Sequence, residues 1–84
     1  MNKIERSFQS RLQSRTRDTV RLIVRYKGDG SHATARLAEM GVTPLRSFQL
    51  IKAVSVSVSA ETALALLKEP WVLKIEEDRQ VSIQ

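Results

Sequence analysis

Between Val54 and Val58 valine and serine alternate without a break, and a second alternating stretch lies earlier in the chain. There Val20, Leu22, Val24 and Tyr26 interleave with Arg21, Ile23, Arg25 and Lys27. A period of two predicts extended strands with one buried face, because successive side chains of a strand point to opposite sides. These two segments constrain the fold more than any other feature. The remaining elements must cover the apolar face that they create.

Gly28-Asp29-Gly30 breaks the first alternation and marks a turn. Ser31 is the expected N-cap of a helix over His32 to Met40, with Ala33, Leu37 and Met40 on one face. Gly41 is placed to end it, since glycine adopts the left-handed conformation at low cost. An extended region follows from Leu45 to Val58, with Phe48 and Leu50 read as strand residues and Pro44 near its start. Ile51-Lys52-Ala53 is the expected turn that divides it into two strands.

Ser59 is the next expected N-cap, for a helix over Ala60 to Lys68 with Ala63, Leu64 and Leu67 turned to the core. Pro70 stops that helix. Trp71 to Glu76 is extended again, and Glu77-Asp78-Arg79-Gln80 forms a polar break before Val81 to Gln84. The order strand, helix, strand, strand, helix, strand predicts a ferredoxin-like split βαβ sandwich of the α+β class. Its four-stranded antiparallel sheet carries two helices on one face and leaves the other open.

Size and charge bound the rest. The 84 residues suffice for one domain, and a domain so small buries only about 60% of its unfolded surface. There is no cysteine, so neither disulfides nor thiolate metal sites staple it. No run approaches the roughly 20 apolar residues of a membrane helix, and no partnership with a membrane is expected. The net charge is +5, and residues 1–20 carry +3 of it, with five basic and two acidic side chains. Residues 1–19 therefore read as a basic leader, flexible or partly helical. The spacing of Ile4, Phe8 and Leu12 is compatible with a short amphipathic helix.

Catalytic chemistry has little to work with. His32 is the sole histidine and stands at a helix start, away from any serine–histidine–aspartate arrangement. Gly28 and Gly30 form a turn and no phosphate loop. Glu76, Glu77 and Asp78 cluster without a second ligand group, so no metal and no cofactor is expected. The fold also carries RNA-recognition domains, but the aromatics are only Phe8, Tyr26, Phe48 and Trp71, and the acidic run repels phosphate. A nucleic-acid-binding module is the alternative from a different class, and no nucleic-acid partner is expected on the main reading.

Residues 20–84 resemble the subtilisin propeptides, a family of peptidase inhibitors. Leu22-Ile23-Val24-Arg25-Tyr26-Lys27 is similar to the family's opening strand. In the resemblance Gly41 begins the second strand and Phe48 stands at its aromatic position. Leu67-Lys68-Glu69-Pro70-Trp71-Val72 resembles the Lys-Lys-Asp-Pro-x-Val turn, and Ile75-Glu76-Glu77-Asp78 the Val-Glu-Glu-Asp signature. Five residues follow Arg79 and end at Gln84, where such propeptides are cut. Arg79 departs from the family's histidine, and Ile83 and Gln84 differ from common residues at the cut.

The resemblance implies an inhibitor domain over residues 20–80 and a tail, 81–84, for a subtilisin-like serine protease. The chain itself is then no enzyme. The open sheet face would pack on two protease helices. Glu76 and Asp78, on one side of an extended chain, would cap those helices' N-termini, where unpaired N–H groups favour negative charge. Glu77 would point the other way. Val81, Ser82, Ile83 and Gln84 would enter the active-site cleft as an added strand, like a product. The domain would also act as an intramolecular chaperone by binding the folded protease. A processed propeptide implies secretion, with any signal already removed. The neighbouring alternative, favoured by Met1 and the lack of an apolar signal core, is a free-standing inhibitor of the same fold inside the cell.

Overall fold

The alternating segments become the centre of a four-stranded sheet. A computed structural model describes residues 3–78. Along the chain run α1 (Arg6–Ser14), β1 (Thr19–Tyr26), α2 (Gly30–Glu39), β2 (Arg46–Phe48), β3 (Ala53–Ser59), α3 (Ala60–Leu66) and β4 (Val72–Glu77). The strand order is β2-β3-β1-β4, every neighbouring pair antiparallel. This is an α+β fold of the expected ferredoxin-like arrangement, with one helix added at the N-terminal end.

Register explains which residues are buried. Val20, Leu22 and Val24 stand opposite Val58, Val56 and Val54, and Val24 and Tyr26 stand opposite Ile75 and Val72. These side chains share one core with Ala33 and Leu37 of α2 and Ala60, Ala63 and Leu66 of α3. Fully burying a residue such as Leu22 contributes roughly 1.5–3 kcal/mol.

Local chemistry sets the element ends. The Ser59 side chain accepts from the Thr62 N–H, as expected of an N-cap. Ser31 is not the cap of α2. Asp29 is, accepting from the Ser31 N–H at 2.9 Å, so the helix starts two residues sooner. That bond, with the one from the Ser31 hydroxyl, holds the Asp29 carboxyl below its usual range. At the other end Gly41, at φ 76°, donates to Ala38 O, and Val42 donates to Leu37 O. That pair of bonds is a Schellman motif, which requires the left-handed residue that glycine supplies.

Two expectations need correction. Leu50 is not in a strand; it sits fully exposed in the turn between β2 and β3. Helix α3 ends at Leu66, and Leu66 rather than Leu64 or Leu67 is fully buried, while those two are partly buried against the core. Ala60, Ala63 and Leu66 recur every three residues, which fits a short helix over a sheet. Of the two forms expected for residues 1–19, the described residues 3–19 take the partly helical one, and they pack on the domain. Phe8 and Leu12, four apart on α1, and Ile4 before it are buried in the common core. The helical spacing noted for them is realised, and the core supplies the apolar partner that the helix needs.

Candidate functional site

The face of the sheet turned away from the helices is built by the alternate residues of each strand. Its rows follow from register. Phe48, Ala53, Arg25 and Lys74 form one row, and Arg46, Ser55, Ile23 and Glu76 form the next. Ser57 and Arg21 begin a third, and the Asp78 N–H donates to Arg21 O at 2.9 Å beside them.

Size varies across this face in a regular way. Strand β3 contributes only Ala53, Ser55 and Ser57, with Ala53 0% and Ser55 3% exposed. Larger side chains stand on both sides: Arg46 and Phe48 on β2, Arg21, Ile23 and Arg25 on β1. Ala53 and Ser55 are therefore covered by their neighbours, and the face presents the larger side chains of β2 and β1. Arg46 lies over the Phe48 ring, 5.8 Å from its centroid. Arg25 stands directly opposite Lys74, a like-charge pair that costs stability.

The acidic end of β4 is divided between the two faces. Glu76 belongs to the open face and sits 3.5 Å from Lys74, two residues before it on the same side. Asp78 follows with the same parity, half-buried. Glu77 belongs to the helix side, where its carboxylate receives both Arg11 guanidinium nitrogens, at 2.6 and 3.2 Å. The pair raises the Arg11 pKa, chiefly through the hydrogen bond to Glu77. The three acids therefore do not converge, and among the described residues no group of three metal-ligating side chains comes together.

Of the expected site residues, Glu76 and Asp78 are thus placed on one side and Glu77 on the other, as strand alternation requires. Val81, Ser82, Ile83 and Gln84 lie outside the described residues. Sequence reasoning missed Arg11 and Lys3. The Lys3 ammonium donates to Leu67 O at 3.3 Å and Glu69 O at 2.9 Å, at the end of α3. It also missed the cationic side chains of the open face, although the alternation of β1 already assigns Arg21 and Arg25 to one side.

The loop before β4 is held by a second cluster. The Glu69 carboxylate accepts from Trp71 Nε1 at 3.0 Å and from Arg36 of α2 at 2.9 Å. The Trp71 bond first and the Arg36 bond second hold the Glu69 carboxyl below the usual range. Trp71 is buried, so its N–H needs this partner.

No protein-family model matches the chain, and no curated protein matches it.

Proposed function

We propose that this chain is an inhibitor module of the subtilisin-propeptide kind, which binds a subtilisin-like serine protease and favours its folded state. One observation carries the reading: Glu76 and Asp78 lie together at the β4 end of the sheet face turned away from the helices, with Glu77 on the other side. On this reading two helices of a partner settle on the sheet face turned away from the chain's own helices, and the two carboxylates then meet the unpaired N–H groups at the helix N-termini. Glu77, already engaged by Arg11, takes no part. On this reading Val81 to Gln84 occupy the protease cleft as a product-like strand with the Gln84 carboxylate near the catalytic serine. Binding to the folded protease alone stabilises it by mass action.

The test is a titration of the chain into a subtilisin-type protease hydrolysing a chromogenic peptide, with trypsin as control. Competitive inhibition of the subtilisin alone is the expected result. Removing residues 81–84 weakens it strongly and leaves the fold intact. Undiminished inhibition by the truncated chain rules out the product-like tail. Glu76→Ala with Asp78→Ala weakens binding most at low salt, where unscreened charge contributes most.

A second reading rests on the same face. Arg21, Arg25, Arg46 and Lys74 lie there with Phe48, a cationic surface with a stacking side chain, as polynucleotide binders use. Polynucleotide binding with a steep salt dependence, and no protease inhibition, selects this reading.

A further inference from the structure

Four separate contacts from the N-terminal segment converge on β4 and the loop before it. The Ile75 N–H donates to Lys3 O at 2.7 Å, and Ile4 bridges Ile75 in parallel register, so residues 3 and 4 cover the outer edge of β4. The Lys3 ammonium holds the last carbonyls of α3 and its following turn. Phe8 and Leu12 anchor α1 in the core. One turn along from Phe8, Arg11 grips Glu77 with a two-pronged bond, the geometry in which a guanidinium fixes orientation as well as position. The segment from Lys3 to Arg11 is therefore a strap that holds β4 at Ile75 and at Glu77, and the loop before it at Glu69.

We propose that this strap sets the position of the acidic end of β4, with Arg11 the positioning residue, and so tunes how tightly the chain holds its protease. The inference rests on the protease-binding reading above. Glu76 and Asp78 flank Glu77, so clamping Glu77 on the helix side fixes the direction of its neighbours on the open side. Without the clamp, the carboxylates must be ordered on binding, and that cost lowers affinity.

The experiment compares wild type, Arg11→Ala, Arg11→Lys and Glu77→Gln. Two readouts are used: the inhibition constant against a subtilisin, and amide hydrogen exchange in the free chain. Arg11→Ala is expected to raise the inhibition constant about two- to fivefold, the span of a surface ion pair. Arg11→Lys restores part of it. The Arg11→Ala/Glu77→Gln double variant loses less than the sum of the two single losses, since the two side chains share one bond. In the Glu76→Ala/Asp78→Ala background the Arg11 effect shrinks, an outcome that general destabilisation does not produce. Exchange at the Asp78 amide quickens in Arg11→Ala while that of central β1 amides holds. An unchanged inhibition constant, or full additivity with the Glu76/Asp78 changes, overturns the proposal. If no subtilisin is inhibited by the wild type, the protease-binding reading fails. The strap is then judged by exchange alone, and unaltered protection at Asp78 overturns it too.

Discussion

The two outer strands of the sheet are treated in opposite ways. The edge at β4 is covered by the chain's own residues 3 and 4, buttressed by α1 and tied by Arg11 to Glu77. Among the described residues the edge at β2 is bare. It is kept to three residues, carries Arg46, and leads into a turn with Leu50 and Ile51 exposed. Both are ways to manage unpaired strand edges, one by covering and one by shortness and charge. The difference teaches where order is concentrated. The end of β4 that bears Glu76 and Asp78 is on the covered side, and the proposed binding surface extends from it towards the bare one.

Substitutions at the two edges test that contrast. The largest effect is expected at the covered edge. Phe8→Ala removes a buried ring and should cost about 3–5 kcal/mol in urea unfolding, a major share of a small domain's roughly 5–15 kcal/mol. A loss below about 1 kcal/mol means that α1 is peripheral and the contrast is false. At the bare edge, Lys52 holds φ at 50° in the turn. Lys52→Gly should relieve that strain and stabilise by up to about 1 kcal/mol, read as a rise in thermal midpoint of several degrees. A lower midpoint shows that the lysine side chain contributes more than its backbone costs.

Acidification probes the covered side more gently. Glu69 has its carboxyl held down by Trp71 and then Arg36. A lowered folded value means that its contribution is complete above the ordinary glutamate pKa, about 4.3. It is lost as pH falls through the lower folded value. Glu69→Gln should therefore flatten the acid limb of a stability–pH curve and leave the shape above pH 6 unaltered. An acid limb identical to wild type contradicts this. The smallest effect belongs to Leu50→Asn, expected within about 0.5 kcal/mol of wild type. A large loss there shows that the turn is packed in a way its exposure denies.

Much of this was legible residue by residue. Period two located β1 and β3, Ser59 and Gly41 marked two helix ends, and alternation alone separated Glu77 from Glu76 and Asp78. Other points were ambiguous for definite reasons. Asp29 and Ser31 are both competent caps two residues apart, and the turn geometry chose the first. Leu64, Leu66 and Leu67 offer competing helix phases, and a choice between them depends on the sheet beneath. Phe8 and Leu12 define an apolar stripe but not what it meets.

Short-range chemistry is therefore what the amino-acid order determined here: periodicity, caps, turns and the parity of side chains along a strand. These depend on neighbours within a few residues, and a reader of the chain sees all of them at once. Tertiary structure alone decided the partnerships. Arg11 and Glu77 are separated by 66 positions, as are Lys3 and the Glu69 carbonyl, and nothing local to either end names the other. Such pairs exist only because the sheet and its helices bring the N-terminal segment back onto β4, where burial of Ile4, Phe8 and Leu12 holds them in reach.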